Sequence, residues 1–163
     1  MNFIVDVQYT QEISPSVEGE LPGPDDFQRW VGAALSGRRE AGELTIRVVG
    51  EAESAELNQT YRHRSGPTNV LSFPSENSLY LDPPLLGDLV ICAPLVAREA
   101  REQCIAAIDH WAHLTVHGTL HLLAYDHETA GDAEVMEGLE AEILVALGYT
   151  DPYAGEKETL TAF

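Results

Sequence analysis

Apolar and polar positions alternate through residues 2–9, which are rich in β-forming types, and this predicts a first strand. Pro24-Asp25-Asp26 then opens a helix to about Ser36, because Phe27, Trp30, Val31, Ala34 and Leu35 recur at helical spacing on one face. Gly37 and Gly42 bracket a polar connection, and Leu44-Thr45-Ile46-Arg47-Val48-Val49 reads as a strand. Glu51 to Arg62 predicts a short helix with Ala55, Leu57 and Tyr61 as its apolar positions. A loop follows over 63–68, then a strand from Asn69 to Phe73 that Pro74 stops, and a polar, turn-like stretch over 75–84. Leu86 to Cys92 is the last strand. Helical periodicity runs from Pro94 to about Leu123 with a break near Cys104, and a final helix spans about Gly131 to Leu147 before Gly148.

That order, β-α-β-α-β-β-α-α-α, implies an α/β (α+β-like) fold: one domain over 1–150 with a mixed four-stranded sheet covered by about five helices. Residues 151–163 read as a poorly ordered tail. No repeat, low-complexity tract or linker interrupts the chain.

At 163 residues and 44% hydrophobic, the chain suits a single core that needs no staples. Its two cysteines, Cys92 and Cys104, form no CxxC pair and no disulfide framework, which favours a reducing cytoplasm. The first residues have neither the basic nor the long apolar region of a signal peptide, and no apolar run reaches about 18 residues. A soluble, cytoplasmic protein is expected. The formal charge of −18 argues, taken alone, against a nucleic-acid partner, since phosphate binding rests on basic faces.

The chemistry concentrates in one place. Five of the six histidines, His110, His113, His117, His121 and His127, fall within residues 110–127. His117 and His121 are four apart, so a helix stacks them on one face, where both imidazoles reach one ion at bonds of about 2.1 Å. His127 is too far along a continuous helix to join them, so the chain must turn after Leu123. Three neutral nitrogen ligands, His117, His121 and His127, leave a coordination position open, which is the pattern of a catalytic zinc rather than a structural one. One Zn2+ per chain is expected, on a central helix and the turn after it. His113 is open to three roles, a fourth ligand, a partner of a ligand, or packing; packing is the expectation. His110 is expected in solvent, and Asp126 either orients a ligand imidazole or is an exposed turn residue. Gly118 stands where a zinc protease of the HExxH kind carries its general base, which removes the best support for peptide hydrolysis.

The run from His113 to His127, HLTVHGTLHLLAYDH, resembles the signature of the YbeY endoribonucleases, bacterial rRNA maturation factors. Leu57 to Arg62 leading into Pro67 to Pro74 is similar to that family in order and spacing, as is Leu86 to Cys92, so the likeness covers about residues 3–148. The resemblance implies a metal-dependent, single-strand-specific endoribonuclease acting in 16S rRNA 3′-end maturation and ribosome quality control. It implies metal roles for His117, His121 and His127, a catalytic role for Arg62 and a functional role for Asp88. Single-stranded rRNA and the ribosome small subunit or a ribosomal protein are the expected partners, with no membrane and no DNA.

Two departures stand out. Ala124 occupies a place where the family usually has Gly; a turn with positive φ there costs Ala about 1 kcal/mol. Arg64-Ser65-Gly66 replaces Lys-Asp-type residues, with Arg64 keeping the positive charge.

A planar guanidinium at Arg62 matches two phosphate oxygens and the charge developing on them. Asp88 either orients a histidine or arginine or caps the following helix. The attacking group is water or the ribose 2′-OH. Ten of the 27 acids lie in 125–163 against the single Lys157, whereas Arg62, Arg64, Arg98 and Arg101 flank the motifs. Screening over about 8 Å lets a basic cleft coexist with acidic flanks. Weak intrinsic RNA affinity follows, with docking on the ribosome supplying the rest. Two rival readings remain: a metal hydrolase of peptides or esters, and a non-enzymatic ribosome-assembly factor whose metal is structural.

Overall fold

The structure is a computed structural model that describes residues 2–10, 21–75, 83–124 and 129–153. It contains strands β1 (Asn2–Tyr9), β2 (Ala41–Val49), β3 (Val70–Pro74) and β4 (Leu85–Cys92), and helices α1 (Pro24–Leu35), α2 (Glu51–Arg62), α3 (Ala93–Gln103), α4 (Ala107–Leu122) and α5 (Ala130–Ala146). The element order is the one the hydrophobic pattern predicts. Among the described residues, no helix is long and apolar enough to cross a membrane.

The sheet order is β1-β2-β4-β3, with β1, β2 and β4 parallel and β3 antiparallel at the edge. One face carries Leu44, Ile46, Val48, Leu89 and Ile91, covered by Phe27, Trp30 and Val31 of α1 and by Val116 and Leu120 of α4. The other carries Val49, Leu71, Val90 and Cys92, against Leu57 of α2 and Leu95 of α3. Val and Ile at alternate positions therefore point into two separate apolar layers, which fixes the register of each strand.

Strand β2 starts at Ala41, three residues before the expected Leu44. Gly42 reads as a breaker in sequence, yet it pairs with Phe3 within the strand, and the Leu86 side chain lies 2.7 Å from where a Cβ would stand. The break near Cys104 is real: Cys104 ends α3 in the left-handed region, φ 58°.

Helix α2 keeps Leu57 against the sheet as expected and corrects Tyr61. Its buried residues are Ser54 and Asn58, whereas Tyr61 is 56% exposed. The Ser54 hydroxyl donates to the Thr68 carbonyl and accepts from the Thr68 N–H, and Asn58 Nδ2 donates to the Gly66 carbonyl. These two polar side chains tie the 63–68 loop to the helix, and so position Arg64 on it.

Helix α4 is the central element. From His110 to Leu122 every residue is buried except His113, His117 and His121. A helix buried all round has no ordinary solvent face. Its single opening is the stripe of three histidines at successive i,i+4 positions.

Candidate metal centre and adjoining cleft

The stripe brings His117 and His121 together as expected: their Nε2 atoms lie 3.1 Å apart. Two atoms each bonded at about 2.1 Å to one ion lie no more than about 4.2 Å apart, so this separation fits shared ligation. Gly118 explains how the helix reaches that position. A Cβ there would come within 2.9 Å of Leu89 Cδ2 and 3.3 Å of Val70 Cγ2, so the residue after His117 faces the sheet, where no side chain fits. A side chain at that place would point into apolar packing against Leu89 and Val70, which disfavours a general base there.

Tautomer and ring angle of His117 are set by a residue that sequence reasoning missed. Glu140 of α5 is 1% exposed, and its Oε1 accepts from His117 Nδ1 at 2.6 Å and pairs with His113 Nε2 at 3.2 Å. Its Oε2 accepts from the Tyr153 hydroxyl at 2.9 Å, and that hydroxyl also lies 3.2 Å from His113 Nε2. Burial pushes the Glu140 carboxyl up, but hydrogen bonds and charge from His113 and His117 outweigh it and hold the group down at about 2. An ionised carboxylate on Nδ1–H leaves the Nε2 lone pair of His117 for a cation, the second tier of contacts that metal-binding histidines use. The signal for Glu140 was present in the sequence. It stands in the buried stripe Met136, Glu140, Ile143, Leu144, the one charge on an otherwise apolar face.

His113 is thus held between Glu140 and Tyr153. His110 corrects the solvated reading: it is 4% exposed, and its Nε2 pairs with Glu99 Oε1 at 2.8 Å. His127 and Asp126 lie outside the described residues. The turn that leads to them is described: α4 ends at Leu122, and Ala124 adopts φ 73°, the positive value anticipated for that place.

Arg62, at the end of α2, lines the same cleft as His117 and His121, a space of about 690 Å³ floored by edge strand β3. Its Nη2 donates to the Ser72 carbonyl at 2.7 Å and its guanidinium lies 5.3 Å from the centre of the Phe73 ring. That bond uses one of five guanidinium donors. Ser72 also donates from its hydroxyl to the Gly118 carbonyl at 3.3 Å, so one residue joins the arginine to the histidine helix. Arg64 lines the cleft as well. Arg98 does not; it pairs with Glu51, and neither it nor Arg101 is among the lining residues.

Asp88 is exposed and is not brought to the histidines. It pairs across the sheet with Phe73 and sits next to Leu89, which faces Gly118, so alternation places Asp88 on the opposite face. It does not cap α3, whose N-cap is Cys92.

The sequence model described as endoribonuclease YbeY matches residues 23–148. The chain is 54% identical over 155 residues to a Nitrosococcus oceani protein described as endoribonuclease YbeY, spanning 94% of this chain and 98% of that one. It superposes on the solution structure of TM1509 from Thermotoga maritima with a TM-score of 0.55 at 22% identity, covering 91% of this chain and 98% of that one. The last likeness speaks to the fold; the first two, with a match over most of the chain, establish that it belongs to the endoribonuclease YbeY family.

Proposed function

We propose that this chain is a zinc-dependent endoribonuclease that cuts single-stranded RNA, with the 3′ end of 16S rRNA on the ribosome small subunit as its substrate. The observation that carries the reading is the paired Nε2 atoms of His117 and His121, 3.1 Å apart, in one cleft with Arg62.

His117 and His121 are the described residues that would hold the ion, with His127 as the third ligand. When bound, zinc supplies a Lewis acid that polarises a phosphoryl oxygen and acidifies water. Glu140 keeps the proton of His117 on Nδ1 and fixes the ring. Arg62, held by the Ser72 carbonyl and the Phe73 ring, presents its remaining donors to two phosphate oxygens and to the charge that grows on them. Arg64 adds attraction for the neighbouring phosphate. Strand β3 lies along the floor of the cleft, and the single-strand specificity is the one the family resemblance implies.

The chain's charge of −18 opposes phosphate binding, and Arg62 and Arg64 supply the attraction in this cleft. Docking on a basic ribosomal protein would supply the affinity that the isolated cleft lacks. The test pairs metal analysis with cleavage of an unstructured RNA by wild type, His117→Ala and Arg62→Ala. Loss of bound zinc in the first and a fall of about 10²–10³ in rate for the second are expected. RNA cleavage that survives both substitutions in a clean preparation overturns the assignment.

A further inference from the structure

The cleft continues past His117 into a second, larger arm of about 1050 Å³ that shares Asn69, Val70 and His117 with the first. The two arms differ in charge. Among the described residues, the first is lined by Arg62 and Arg64 and by no acid; the second by Asp109 and Asp151 and by no lysine or arginine. A strand of RNA crossing both must therefore lay its phosphates in the first and something uncharged in the second.

The second arm has the chemistry for a base. Ile105, Leu114, Pro152 and Tyr153 give it apolar and aromatic walls, and Ile105 is 41% exposed, an uncovered apolar side chain inside a cavity. The Tyr153 ring is braced by its hydroxyl on Glu140 and by an edge contact with His113, centroids 5.6 Å apart. Asp109, in the first turn of α4, contributes a carboxylate with no hydrogen-bond partner among the described residues. It lies two helical turns before His117, about 12 Å along the axis, within reach of a nucleotide flanking the phosphate at the histidines.

We infer that this arm is a nucleobase subsite, walled by Tyr153 and Leu114, in which Asp109 accepts from an exocyclic amino group and so favours a base that carries one, such as cytosine, over uracil. The inference rests on the endoribonuclease reading of the same cleft. Single-stranded RNA exposes the Watson–Crick edge of each base, and a carboxylate accepts from cytosine N4–H but meets an acceptor, O4, at the same place on uracil. A basic peptide would fit the charge of Asp109 but not the continuity with the arginine arm.

The test uses the zinc-loaded protein and two oligonucleotides of equal length, oligo(C) and oligo(U). In homopolymers every phosphate has the same neighbours, so the cleavage register drops out. Affinity is measured with 2′-O-methyl versions, and cleavage separately with the RNA forms. Wild type is expected to bind oligo(C) about tenfold more tightly than oligo(U). Asp109→Asn, whose amide both donates and accepts, brings that ratio close to one. Tyr153→Ala weakens both oligonucleotides about tenfold and keeps their ratio, because stacking is indifferent to the base. Equal affinities in wild type, or a ratio untouched by Asp109→Asn, overturn the subsite whether or not RNA is cut. Failure to cut either RNA, with the binding preference intact, counts instead against the nuclease reading.

Discussion

Glu140 Oε1 lies 2.6 Å from His117 Nδ1, and this contact makes the carboxylate of α5 a working part of a site built on α4. The bond holds the imidazole in one tautomer and raises the basicity of Nε2. Glu140→Gln keeps the volume and removes the charge, and an amide nitrogen in place of Oε2 no longer accepts from the Tyr153 hydroxyl. Zinc affinity should fall about 10- to 100-fold with the fold retained, as read by competition with a chelator and by circular dichroism. An affinity equal to wild type in the folded variant would show that the contact is structural only.

Ala124 gives a prediction of the opposite sign. At φ 73° its Cβ crowds the following carbonyl, a strain of about 1 kcal/mol that glycine does not carry. Ala124→Gly should raise Tm by roughly 2–4 °C, less any part offset by the greater freedom of glycine in the unfolded chain. A lower Tm in calorimetry means that the turn has relaxed around Ala.

These two residues mark how far the sequence could be read. Ala124 was legible because its demand is local: a helix that must reverse within a few residues needs a positive φ, and the departure from Gly is visible letter by letter. The i,i+4 histidines were legible for the same reason, since helical spacing alone puts them on one face. What was not legible depends on which elements meet. Glu140 lies 23 residues from His117, and only the docking of α5 on α4 brings them together. His110 looked solvated because its partner Glu99 comes from the preceding helix. Tyr61 was assigned inward from periodicity, whereas buried polar side chains at 54 and 58, each with a backbone partner on the loop, took the inward face. Asp88 was placed by resemblance, and the pleat of β4 turns it away from the histidines.

Gly87 should tolerate no side chain. Its φ is 141°, and a Cβ there would lie 2.2 Å from the Phe73 carbonyl oxygen and 3.0 Å from Leu122 Cδ2. The first contact is backbone and cannot swing aside. Strain and overpacking together predict a loss of roughly 2–6 kcal/mol for Gly87→Ala, a Tm drop of at least about 4 °C. Because Leu122 follows His121, zinc affinity should weaken in parallel. Wild-type stability in denaturant titrations would mean that β3 and β4 separate more easily than their register suggests.

The salt dependence of RNA binding should be shallow despite the phosphate chemistry. Cation release scales with the number of phosphates neutralised, at a slope of about 0.7 per contact on a single strand. The described residues of the cleft provide two arginines, Arg62 and Arg64, so the plot of log affinity against log salt should fall with a slope near −1.4. Arg64→Ala should halve it. The remaining charge of the chain is strongly negative, so it lowers affinity without adding phosphate contacts. Anisotropy titrations of an unstructured RNA across a range of salt give the number directly. A slope of −4 or steeper would require a basic surface outside this cleft, and the picture of an isolated, weakly attracting arm that relies on the ribosome for its affinity would have to be abandoned.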